Sequence, residues 1–97
     1  MYMLDDAGNP VETDDILAWA RWMDSHRVLA ATRLPGDVRV STVFLGIDHA
    51  FGDGPPVLWE TMIFGGAHDE YQERYTSAVD ASAGHERAVT LASADRP

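Results

Sequence analysis

The chain has 97 residues, enough for one hydrophobic core and too few for two. It carries 16 acidic and 7 basic residues, a formal charge of −9, and a pI near 4.5. With no Cys, disulfides, thiolate nucleophiles, Cys-ligated zinc and iron–sulfur clusters are excluded, and no apolar run approaches the roughly 20 residues of a membrane helix.

In chain order, Met1–Leu4 is short and apolar and reads as an opening strand. It stops at the turn signal Asp6-Ala7-Gly8-Asn9-Pro10. Thr13 precedes Asp14 and Asp15 and reads as an N-cap, with two acids at the positive end of the helix dipole. A helix is predicted from about Asp14 to His26, with Ile16, Trp19, Ala20 and Met23 on one face and Trp22 off it.

Residues 27–34 read as a strand, and Pro35-Gly36-Asp37 as a turn. Residues 38–45 are the best strand in the chain, rich in β-branched residues. Val38, Val40, Thr42 and Phe44 form one of its faces. Residues 46–56 form a Gly- and Pro-interrupted loop carrying Asp48, His49, Phe51 and Asp53. Strands follow at 57–64 and 71–75. A last helix is predicted over roughly 78–93, with Ala78, Ala81, His85, Val89 and Ala92 as its stripe and a frayed end after it. The expected class is α+β: a small antiparallel sheet of about four to five strands, packed on one face by two helices. The whole chain is one domain.

Charge is uneven along the sequence. Residues 1–26 sum to −5, residues 27–45 to +2, residues 46–70 to −5 and residues 71–97 to −1. Such a surface repels phosphate backbones and anionic membranes, so neither direct nucleic-acid binding nor membrane binding is expected. A basic partner is attracted instead. The opening residues lack the basic segment of a secretory leader, and a cytoplasmic protein is expected.

No nucleotide-binding motif is present, and no cofactor or catalytic residue is assigned. The four His show no HExxH or His-x-His spacing, so no metal site is assigned either. Glu60 is the oddest residue, an acid with apolar neighbours on both strand faces. Arg39 and Arg33 are its expected ion-pair partners. Asp48, His49, Glu60 and His85 are the candidates for ligand binding or a small active site. Asp14, Asp15, Trp22, Phe51 and Asp53 are the candidates for partner contact, because an exposed aromatic beside acids marks an interface. A sheet edge free to pair with a second copy allows a homodimer.

The run Val40-Ser41-Thr42-Val43-Phe44-Leu45-Gly46-Ile47-Asp48-His49 resembles a family of small uncharacterised phage and prophage proteins. So do the run from Gly54 to Gly66 and the later Arg74-Tyr75-Thr76-Ser77 with Gly84-His85. Trp59 stands where the pattern carries Phe, and Ile47 where it carries Leu. The resemblance spans about residues 38–87 and implies a phage accessory protein in the host cytoplasm, with no activity attached. Counter-defence inhibition through a basic host protein or nucleoprotein complex, by nucleic-acid mimicry, is the first expectation. A metal- or ligand-binding role and a virion structural role are the alternatives.

Overall fold

The computed structural model describes residues 1–50 and 52–94. Its elements are β1 (Tyr2–Leu4), β2 (Pro10–Glu12), α1 (Ile16–His26), β3 (Val28–Leu34), β4 (Val38–Phe44), β5 (Trp59–Phe64), β6 (Gln72–Tyr75) and α2 (Ala78–Ala94). Strands β3 to β6 form an antiparallel four-stranded sheet in sequence order, and β1 pairs with β2 in a separate ribbon. The class is α+β, as the residue pattern predicts.

Alternation along β4 and β5 divides the sheet into two unlike faces. Val38, Val40, Thr42 and Phe44 point to the covered side, and so do Trp59, Thr61 and Ile63. The β4–β5 register sets Val40 against Ile63, Thr42 against Thr61 and Phe44 against Trp59. Helix α2 covers this side through buried Ala81, Gly84, His85, Ala88 and Ala92. One apolar cluster holds Val38, Val40, Ile63, Ala88 and Ala92, and a second holds Phe44, Leu58, Trp59, Tyr75 and Ala81. Thr42, Thr61 and His85 lie between the two along their respective elements.

Small residues let α2 approach the sheet closely. A Cβ at Gly84 would collide with the Tyr75 phenol, so that mid-helix glycine makes room for a core aromatic. At the edge, Tyr71 donates to Glu73 at 2.7 Å and Arg87 of α2 reaches Glu73 at 2.6 Å. The hydrogen bond to Glu73, helped by burial, pushes the Tyr71 phenol up to about 12.

Several expectations are corrected. Residues 10–12 form a strand, because the Asp5 carboxylate accepts from the Ala7 and Asn9 amides and folds the chain back onto β1. The first helix begins at Ile16, and its N-cap is Asp15, which accepts from the Ala18 amide at 3.1 Å. Thr13 instead accepts from the Asp15 amide.

Helix α1 does not share the covering of the sheet with α2. It packs at one end, where the Trp19 indole donates to the Tyr2 carbonyl at 3.0 Å. There Gly46, at φ 73°, leaves room for Met23 and Trp19, whose nearest atoms would lie 2.8–2.9 Å from an added Cβ. Trp22 and Met23 pack on the second cluster, so the inward face is Trp19, Trp22 and Met23. Ile16 is 64% exposed and Ala20 is also exposed, contrary to the predicted face. In α2, Gly84 and Ala88 are buried while Ala78 and Val89 are only half-buried. Of residues 94–97, expected to fray, Ala94 is the last residue of α2 and residues 95–97 lie outside the described residues.

Gly84→Ala improves helix propensity by about 1 kcal/mol, yet it overfills the space beside Tyr75. A net loss of about 1–3 kcal/mol is expected in urea unfolding. Ser82→Ala, at an exposed position of the same helix, should show none.

Candidate functional site

The polar layer between the two apolar clusters is built by one residue from each of four elements. His85 is 3% exposed. Its Nδ1 lies 2.8 Å from Thr42 Oγ1 and its Nε2 lies 2.9 Å from Thr32 Oγ1. Thr42 Oγ1 and Thr61 Oγ1 are 2.5 Å apart. A neutral imidazole has one donor and one acceptor, so His85 donates to one of Thr42 and Thr32 and accepts from the other. Burial lowers the His85 pKa, and the nearby Glu86 charge opposes that shift. The neighbouring Tyr75 phenol is raised by burial, against the pull of Thr61.

Asp48 and His49 lie beyond the end of β4. The Asp48 carboxylate accepts from the Ala50 and Val57 amides at 2.8 Å each, and these two bonds lower its pKa. His49 Nδ1 bonds the Ile47 carbonyl at 2.7 Å. Both residues fasten the base of the loop.

Glu60 projects from the face opposite α2. Its partner is Arg74 at 2.9 Å, with Gln72 on the same oxygen, and not Arg39 or Arg33 as expected. The β5–β6 register explains this, since it sets Glu60 directly against Arg74. Glu60 and His85 are thus separated by the thickness of the sheet, and the four ligand candidates do not converge. Among the described residues, no group of three or more His, Asp or Glu is placed to hold a metal ion.

The partner-contact candidates also separate. Asp14, Asp15 and Asp53 are exposed. Trp22 is half-buried, stacked on His26 at 4.9 Å and edge-on to Phe44 at 5.7 Å. It packs against Phe44 from α1, with part of its ring surface still accessible. Phe51 lies outside the described residues.

Sequence reasoning missed the uncovered sheet face. Arg27, Val28, Arg39, Val43, Met62 and Phe64 line a shallow groove on it, with Ser41 and Glu60. Arg33 is set against Arg39 and Arg74 against Glu60, so four of the chain's seven Arg belong to this face. The +2 charge of residues 27–45 was the available signal.

Two measurements test the buried layer. Well above about pH 6.5 the imidazole is neutral in both folded and unfolded chains. Below it the unfolded chain takes up a proton that the folded one resists, so stability falls as the pH drops. Urea unfolding at about pH 7.5 and 5.5 should show this loss, and His85→Gln should flatten it. Thr42→Val leaves the His85 and Thr61 groups without their partner and should cost about 1–3 kcal/mol at neutral pH.

No helix among the described residues is long and apolar enough to cross a membrane. No family model, curated protein or solved structure matches the chain.

Proposed function

We propose that the chain acts by binding a basic partner protein rather than by turning over a substrate, as a phage-type accessory protein in the host cytoplasm. One observation carries this reading: exposed carboxylates held in place by backbone amides. Asp5 accepts from Ala7 and Asn9, Asp15 from Ala18, Asp48 from Ala50 and Val57, and Asp69 from Gly65. All four residues are exposed.

A carboxylate bound in this way loses little conformational freedom when a cation meets it, so its charge is preorganised for recognition. The ribbon and α1 add Asp6, Glu12, Asp14 and Asp24, all exposed. An array of fixed negative charge of this kind competes with nucleic acid for the basic groove of a host protein or nucleoprotein complex. Counter-defence inhibition is the role this mimicry serves.

The test is salt dependence of binding to a partner captured from host cells, followed by competition with that partner's nucleic acid. Affinity should fall at least about tenfold between about 50 and 500 mM salt, and the nucleic acid should be displaced. Asp14→Asn with Asp15→Asn and Asp24→Asn should weaken binding without unfolding the chain, because Asn caps a helix as well as Asp. Affinity indifferent to salt and to these substitutions overturns the reading.

A further inference from the structure

We infer that the uncovered face of the four-stranded sheet binds an extended acidic segment of a partner protein. The inference does not rest on the carboxylates of the ribbon and α1 having a basic partner; of these, Asp24 shares a pocket with Arg27 and Val28 at the border of the face.

Two features of the face, each unfavourable to the isolated chain, point to the chemistry of the occupant. The first is an excess of positive charge: Arg27, Arg33 and Arg39 outnumber Asp37, the one acid that shares a pocket with Arg33 and Arg39 among the described residues. Arg33 and Arg39 sit directly opposite one another across β3 and β4, an arrangement that costs stability. Among the described residues neither has an ion pair, since Glu60 is held by Arg74. The Arg39 guanidinium lies over the Phe64 ring, 4.7 Å from its centre, within cation–π range. Arg27 borders the same groove.

The second feature is apolar exposure. Val28 is 58% and Phe64 38% exposed, with Val43 and Met62 half-buried between them. A segment with alternating acidic and apolar side chains relieves both burdens at once. Its carboxylates reach Arg33 and Arg39 in forked, charge-assisted hydrogen bonds. Its apolar side chains cover Val28, Met62 and Phe64.

The same observations disfavour other occupants. A second copy meeting this face about a two-fold axis would set one arginine-rich patch against another. A nucleic acid needs a continuous run of cations for its phosphates and several rings for its bases, and the groove offers two arginines and Phe64 as its aromatic ring.

The experiment is an NMR titration of the full ¹⁵N-labelled chain with three probes. These are a short peptide of alternating glutamate and leucine, the same peptide with lysine for glutamate, and a thymidine oligonucleotide. The acidic peptide should give saturable shifts at the amides of Arg33, Arg39, Val43, Met62 and Phe64, and none at Asp80 or Glu86 on the outer side of α2. The lysine peptide should give none.

Arg33→Gln with Arg39→Gln should weaken acidic-peptide binding at least about tenfold while leaving the rest of the spectrum in place. Arg39→Gln alone gives the same test in a milder form if the double variant unfolds. Four results overturn the proposal: no saturation, equal response to both peptides, tighter binding of the oligonucleotide, or the same shifts on concentrating the chain alone. The third would assign the face to nucleic acid and the fourth to a second copy.

Discussion

The buried hydrogen bonds among Thr61, Thr42, His85 and Thr32 are the constraint on which the rest of the structure depends. An apolar core tolerates sliding of a helix over a sheet, because one aliphatic contact substitutes for another. A buried imidazole with two nitrogens to satisfy does not. Each hydrogen bond contributes only about 1 kcal/mol net, yet each one broken leaves a group that water cannot reach. The layer therefore sets the rotation and height of α2 against β4, and it ties Thr42 to Thr61 across the strand pair. A one-residue slip between those strands would turn the core face outward and break the layer at the same step.

That constraint explains the shape of what surrounds it. With α2 held close by His85, the other residues it buries fully are small: Ala81, Gly84, Ala88 and Ala92, with Val89 and Leu91 packing at the margin. Their small size leaves volume for Trp59, Phe44 and Tyr75 on one side of the layer. Helix α2 lies against all four strands of the sheet, and α1 docks at the end through Trp19 and Trp22. The opposite face is then uncovered, and its charge differs in sign from that of the ribbon and α1.

Much of this was legible in the residues, and the failures have physical causes. The strand at 38–45 was readable because β-branched residues follow a turn of known chemistry. His85 as a satisfied core residue was readable from its place in an Ala-rich stripe. The inward face of α1 was not. Both the set Ile16, Trp19, Ala20, Met23 and the set Trp19, Trp22, Met23 fit helical spacing. Two indoles decide between them by filling the space beside Phe44 and under Tyr2, and periodicity carries no term for size. The partner of Glu60 was hidden because it depends on which strand pairs on which side. The Arg face was hidden for a related reason: charge summed along a segment mixes both faces of a strand, whereas recognition occurs on one.

The two faces are products of a single register. Thr61 points inward to the histidine layer, so its neighbours Glu60 and Met62 must point outward. Thr42 points inward, so Ser41 and Val43 must point outward, with Arg39 two residues before Ser41. The hydrogen bonds that pin the core thus also fix the spacing of the cations and apolar groups on the open face, through a sheet whose other side is closed. A surface supported in this way meets a ligand with its backbone already ordered, and only side-chain freedom is lost on binding. The arginines keep that surface soluble while it is uncovered, and their mutual repulsion favours an anionic cover over exposure to water.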